Sequence, residues 1–208
     1  MAGESPTYEL ETDALRAGAK LVAGVDEAGR GPLAGPVVVA AIVLDPDAIP
    51  EGIADSKLLT APRREALFTA LTGCARISVA VASAREIDRV NIRQATLNAM
   101  RRAVSALPAA PCHVLVDGND PPKLDCGVRA VVDGDMQCLS IAAASVIAKV
   151  TRDRIMVRLA RCHPGYGFDS HKGYSTRGHL DALARLGPCA AHRQSFAPVA
   201  QLRLALSG

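Results

Sequence analysis

The chain has no tryptophan, and aromatic residues make up only 3% of its 208 positions. Any core must therefore be aliphatic, and a hydrophobic content of 49% is enough to build one. No apolar run approaches the roughly 20 residues that a membrane-spanning helix needs, so no membrane partner is expected. The six cysteines (Cys74, Cys112, Cys126, Cys138, Cys162 and Cys189) are scattered without a Cys-x-x-Cys pair. That excludes a zinc ribbon or a disulfide frame and reads as reduced thiols. The stretch "MAGESPTYELETDALRAGAK" lacks the charged-then-apolar layout of a secretory signal, which predicts a cytoplasmic protein. With no internal repeat and no low-complexity linker, one domain over 20–200 is expected. A loose or helical leader (1–19) precedes it and a short tail (201–208) follows.

The net charge of +3 says less than its distribution. From Lys149 onward there are ten Lys and Arg against three acids, and four of the five histidines fall there. An acidic N-terminal part joined to a basic C-terminal part points to a polyanion held by one half and acted on by the other. The alternative is a merely solvated basic surface.

Strands are expected at 21–27, 36–44, 76–84, 113–118 and 128–135. A helix starts after Thr60, with Pro62 in its first turn. Ser83 and Glu86 have capping-box spacing ahead of a helical region that runs to about Leu107. Residues 139–160 predict a helix, buried in its first half and exposed in its second, and Thr176 caps a last helix that Gly187 stops. The order of elements gives an α/β fold with a mixed sheet and helices on both faces.

Within "LVAGVDEAGRGPLAGPVVVAAIVL" (21–44), Asp26 and Glu27 end the first strand. Asp117 ends "HVLVD", and Asp135 follows "RAVVDG". Singly, Asp117 could belong to an ordinary turn and Asp135 could cap a helix. Together they place four carboxylates at the carboxyl ends of apolar strands, where open sheets carry their sites. Neighbours on a strand point to opposite faces, so Asp26 and Glu27 share a site only if the strand breaks, which Ala28-Gly29 is expected to do. Uncompensated, the four would repel; two divalent ions of the magnesium type would resolve this, because hard cations prefer oxygen ligands. A dinucleotide site is disfavoured. The glycines at 29, 31 and 35 miss the required spacing, Pro32 and Pro36 remove amide donors, and a strand follows instead of a helix.

The segments "GVDEAGRGPLAGPVVVAAIVL", "DSKLLT", "NIRQATLNAM", "VLVDGN", "GDMQCLSIAAASVIAKVTRD", "YGFDSHKGYST" and "HRQSFAPV" resemble, in this order, bacterial ribonuclease HII. The resemblance covers about residues 20–199. It implies a ribonuclease H-like fold, with a five-stranded mixed sheet flanked by helices and a helical C-terminal extension from about residue 149. It implies an endonuclease that hydrolyses the RNA strand of RNA–DNA hybrids and nicks duplex DNA beside embedded ribonucleotides. Asp26, Glu27, Asp117 and Asp135 would hold two Mg2+ or Mn2+ ions. Gly29, Arg30 and Gly31 match the loop that reads the ribose 2′-hydroxyl, and Tyr174 matches a tyrosine that packs on the sugar beyond the RNA–DNA junction. Lys57, Ser145 and Lys149 resemble positions near phosphates, and Lys172 lies in the same basic loop as Tyr174. Leu58 departs from the pattern, since many relatives carry a basic residue there.

A silent hybrid-binding module is disfavoured by the four intact acids. A resolvase or transposase on the same fold is disfavoured by Gly29-Arg30-Gly31 and Tyr174. A monomer is expected. In the tail, Gln201, Leu202, Leu204 and Leu206 resemble the short peptides that dock on the bacterial sliding clamp. Against that, apolar tails usually pack on their own domain.

Overall fold

Strand β2 (Val37–Val43) is apolar throughout and buried at every residue. A strand without polar alternation needs cover on both faces, and it receives it. On one face Val37, Val39 and Ala41 pack with Ala95, Ala99 and Met100 of α4 (Ile92–Ser105). On the other, Ala40 and Ile42 meet Leu67 and Leu71 of α2 (Ala61–Cys74) and Ala144 and Ile147 of α6 (Leu139–Cys162). Each Val, Leu or Ile buried in this way contributes about 1.5–3 kcal/mol, which is how a chain poor in aromatics holds together. The computed structural model describes residues 5–207, with side chains as far as Leu202. Within it, five strands are ordered β3-β2-β1-β4-β5. Strands β1 (Val22–Ala28), β2 and β3 (Arg76–Ala82) pair antiparallel, whereas β4 (His113–Asp117) and β5 (Gly127–Val131) extend the sheet parallel to β1. This is the mixed five-stranded α/β sheet expected.

Gly24 sits inside β1 for a reason of space. A Cβ there would lie 2.3 Å from the main-chain carbon of Ser140, so only glycine lets the start of α6 close over the strand. The N-terminal residues close over the same place. Helix α1 (Glu9–Arg16) lays Leu10 and Ala14 on Val22, Leu115 and Ile141. Just before it, Thr7 donates its N–H to the Gln137 carbonyl at 3.1 Å and accepts from the Leu139 N–H at 3.0 Å. Buried Glu11 accepts from the Ser140 N–H at 2.7 Å, satisfying an orphan amide at the start of α6.

Four expectations are corrected in detail. The helical region after Ser83 breaks at Asn91 (φ 67°), which caps α4 by accepting from Gln94 N–H at 2.9 Å and so divides it from α3 (Ala84–Val90). The capping box is only half formed. Ser83 accepts from Glu86 N–H, while the Glu86 carboxylate pairs with Arg102 at 2.8 Å. Thr60 stands at the start of α2 without a side-chain capping bond. The second half of α6 is not simply exposed, because Arg152 and Met156 are buried there beneath residues 34–36 and the segment around α7 (Phe168–His171). Thr176 does cap α8 (Arg177–Leu186), and Gly187 (φ 71°) ends it.

The last helix, α9 (Ala197–Ser207), packs Leu202 with Leu33, Leu183 and Val199. The side chains of Leu204 and Leu206, named above for clamp docking, lie outside the described residues, as do residues 1–4 of the leader. No described helix is long and apolar enough to cross a membrane.

Candidate active site

Parallel pairing sets β1 and β4 side by side with their carboxyl ends level. Val25 is opposite Val116, so the next residue on each strand is an aspartate, Asp26 and Asp117. Asp26 alternates with Val25 and follows Gly24 in facing α6, and Asp117 shares that face with Leu115. Asp135, four residues beyond the end of β5, joins from the short helix α5 (Gly134–Gln137) instead of from the strand itself. The Gly134 N–H donates to Asp117 Oδ1 at 2.8 Å and ties this helix to β4.

The strand breaks within Ala28-Gly29, as expected, and Asp26 and Glu27 border one cleft. Strand β1 stays in register with β2 through Ala28, so the chain does not bend between Asp26 and Glu27. The break comes only at Gly29 (φ 97°). Glu27 consequently borders two recesses. One is a cleft of about 430 Å3 that it shares with Asp26, Asp117, Arg30, Lys57 and Tyr174. The other holds Arg93, Asn119 and Asp120. Its Oε1 is 3.3 Å from Arg30 Nη1.

The electrostatics are those of crowded, desolvated carboxylates. Burial pushes the Asp26 carboxyl well above its ordinary range, and the charges of Glu27, Asp117 and Asp135 add to this. The hydrogen bond from Glu27 N–H (2.6 Å) opposes it. Burial also raises Glu27, against the pull of Arg30, and Asp117, against the Gly134 N–H. Lys57 Nζ lies 3.0 Å from Asp135 Oδ2 and 3.7 Å from Asp55. Burial works to lower the Lys57 ammonium, but Asp135, Asp55 and Asp26 overcome it and raise it. Asp26 and Asp117 make no ion pair among the described residues. Nor are any three His, Cys, Asp or Glu side chains among those residues gathered tightly enough to hold an ion as they stand.

Two buried arginines shape the loop after β1, and sequence reasoning missed both. Arg193 donates to the carbonyls of Gly29, Arg30 (2.7 Å) and Gly35 (3.0 Å). Arg152 donates to those of Pro36 (3.0 Å), Ala34 (3.3 Å) and Lys172 (3.0 Å). Neither has a carboxylate partner among the described residues; burial, then the neighbouring Arg152, holds the Arg193 guanidinium down at about 9. A Cβ on Gly29 would fall 1.9 Å from Arg152 Nε, which accounts for that glycine. Gly31 has no atom within 4 Å of where its Cβ would be, so nothing inside the chain requires it. No local signal marks either arginine, since Arg152 is followed directly by Asp153 and Arg193 stands between His192 and Gln194.

The remaining residues are placed as follows. Tyr174 is 46% exposed and borders the cleft, with the Arg152 guanidinium 5.8 Å from its ring centre. The buried tyrosine is Tyr166, whose hydroxyl donates to Gly187 O at 2.6 Å. Ser145 and Lys149 line the cleft but are engaged. The Ser145 hydroxyl accepts from Ser56 N–H and donates to Ala142 O, and Lys149 pairs with Asp153 at 2.8 Å. Lys172 donates to the Asp169 carbonyl and faces an adjoining groove instead. Arg64, also missed, reaches the cleft while donating to Ser56 O at 2.8 Å. Leu58 is 74% exposed.

Comparison with known proteins gives the chain its relatives. The family model described as ribonuclease HII matches residues 23–199. A ribonuclease HII of Parvibaculum lavamentivorans is 60% identical over 94% of this chain and 72% of its own length. Among solved structures, the ribonuclease H2 of Pyrococcus horikoshii OT3 superposes with a TM-score of 0.77 at 28% identity, covering 90% of this chain and 99% of that one. The RNase HII in the PCNA:RNase HII complex from Archaeoglobus fulgidus gives 0.69 at 27%, covering 85% and 95%. A mixed sheet that brings Asp26 and Asp117 to one cleft, with Asp135 held beside it by Lys57, matched by relatives over nearly its whole length, thus makes this chain a member of the ribonuclease HII family, endonucleases that act on RNA paired with DNA.

Proposed function

We propose that the cleft cleaves the phosphodiester beside a ribonucleotide, in hybrids and at single ribonucleotides embedded in duplex DNA, leaving 3′-hydroxyl and 5′-phosphate ends. The observation that carries this reading is the grouping of Asp26, Glu27 and Asp117 with Gly29, Arg30 and Tyr174 around one cleft, with Asp135 held beside Lys57 at its edge. Asp26 and Asp117 are oxygen donors that are partly desolvated and lack an ion-pair partner, and their chemistry fits a hard divalent cation. Two such ions, Mg2+ or Mn2+, held by Asp26, Glu27, Asp117 and Asp135, would supply the charge that activates a water and stabilises the leaving 3′-oxygen.

The chain's own residues do the recognition. Because Arg193 holds the carbonyls of Gly29 and Arg30 inward, the opposite edge of that backbone is left for a ligand. Gly31, which no internal contact requires, lets a sugar come close. A 2′-hydroxyl, both donor and acceptor, is what such a backbone edge can tell from deoxyribose. Tyr174 offers an exposed ring for the neighbouring sugar, braced by Arg152. Lys57 and Arg64 supply positive charge for phosphates at the rim.

The A. fulgidus neighbour was solved with PCNA. For this chain we read the tail as cover for its own core, because Leu202 already packs on Leu33 and Val199. Incubation with duplex DNA carrying one ribonucleotide tests the main reading. Nicking is expected with Mg2+ or Mn2+ and none with chelator; an uncut substrate in all three would refute it.

A further inference from the structure

A second, larger groove of about 650 Å3 lies between α2 and α6 and runs to the segment just after α7. Arg64 and Lys149 border both it and the cleft of the acids, so the two are continuous. Its walls carry six cations, Arg64, Lys149, Arg154, Arg158, Arg161 and Lys172, against two acids, Glu65 and Asp153. Both acids are already neutralised, Asp153 by Lys149 and Glu65 by Arg154. Arg154 is further fixed over the Phe68 ring at 4.3 Å. Arg158 and Arg161 are exposed and make no hydrogen bond or ion pair among the described residues.

We propose that this groove holds the sugar–phosphate backbone of one duplex arm leading away from the scissile bond. Arg154, Arg158 and Arg161 follow one another at helical spacings of four and three and so share one face of α6. From Lys149 to Arg161 the helix rises about 18 Å, which at about 3.4 Å per nucleotide step matches roughly five base pairs of arm. An apolar peptide or a small anion would not need a cationic row of this length; a regularly spaced polyanion does. Guanidinium groups without carboxylate partners bind phosphate without first giving up an ion pair. The inference rests on the reading that the scissile phosphate sits in the cleft of Asp26.

The test uses the Arg158→Gln/Arg161→Gln double variant and hybrid blocks flanked by duplex DNA, with each arm in turn kept long or cut too short to reach Arg158. With the long arm, KM should rise roughly tenfold at moderate salt, and the log–log salt slope should fall by about two, one for each phosphate that is no longer neutralised. The kcat should hold, and shortening one arm, but not the other, should abolish the difference from wild type. The Arg158→Lys/Arg161→Lys variant should keep most of the affinity. An unchanged KM on the long-armed substrate, an equal rise on both short-armed substrates, or a fall in kcat would overturn the groove. Wild-type failure on every substrate would instead overturn the assignment of the cleft.

Discussion

Arg193, near the end of the chain, donates through Nη1 to the carbonyl of Arg30 at 2.7 Å, at the turn beside the acids. Its guanidinium is buried without a carboxylate and is satisfied by peptide dipoles alone. Replacing it strands several buried carbonyls, at a cost of about 1–3 kcal/mol each. Arg193→Met should lower Tm and reduce the preference for ribose over deoxyribose at the cleaved position. Arg193→Lys should not restore that preference, because an ammonium cannot span three carbonyls as a planar fork does. A lysine variant with wild-type discrimination in competitive cleavage would show that the arginine only fills space.

Asp26 carries the charge most opposed by its surroundings. Asp26→Asn should lower cleavage at least ~10²-fold through lost metal positioning. In chelator the same variant should be more stable than wild type at neutral pH, by roughly 2–4 °C, the equivalent of about 1 kcal/mol. The sign follows from linkage. A carboxyl raised in the folded state disfavours folding once pH exceeds its unfolded value, and removing the charge removes that penalty. Thermal melts with and without Mg2+ read both effects, since the Mg2+-induced rise in Tm should shrink with the lost ligand. Cleavage within tenfold of wild type would overturn Asp26 as a ligand.

Tyr174→Ala should impair junction and single-ribonucleotide substrates more than continuous hybrids, with Tm nearly unchanged, because the ring is half exposed. Parallel kinetics on the two substrate types decide this. Equal losses with a lowered Tm would mark a packing residue.

A buried histidine pair predicts acid sensitivity. His192 Nε2 is 3.1 Å from His179 Nε2, His192 Nδ1 is 3.2 Å from Cys189 Sγ, and the His171 ring stacks on His179. Burial, then His179, holds His192 down at about 4. Between that value and the unfolded value of about 6.5, the unfolded chain binds the proton first, so stability is full above the window and falls as pH drops through it. By pH 5 the loss from His192 should be about 1–2 kcal/mol, or roughly 2–8 °C in Tm. Calorimetry of wild type and His192→Gln between pH 7 and 5 should show the slope reduced in the variant.

The apolar runs of β1, β2 and β4 and the aspartates that follow them stand out in the sequence because strand burial and the position of a charge are both local. The non-local features are the ones sequence reasoning missed. Arg152 and Arg193 are satisfied by carbonyls more than 100 residues away, and no local pattern distinguishes them from surface cations. That Glu27 also borders a second recess depends on β2 keeping register through Ala28, a property of the pair of strands. The alternation in "VRAVVDGD" favours a strand that ends at Asp135, yet the chain leaves the sheet at Val131 and turns through Asp133 (φ 51°) into α5.

The contacts of Thr7 and Glu11 with residues 137–140 bear on how the enzyme is made. A ribosome releases the N-terminal end first, and that end must wait for a partner about 130 residues later. Closing so long a loop is slow, and the reward comes only when both ends are present. Asp135 lies two residues before the point where Thr7 binds. A chain made only as far as β4 therefore carries Asp26 and Asp117 but still lacks Asp135. The stretch that completes the carboxylate set is thus also the one that gives the N-terminal segment its docking place.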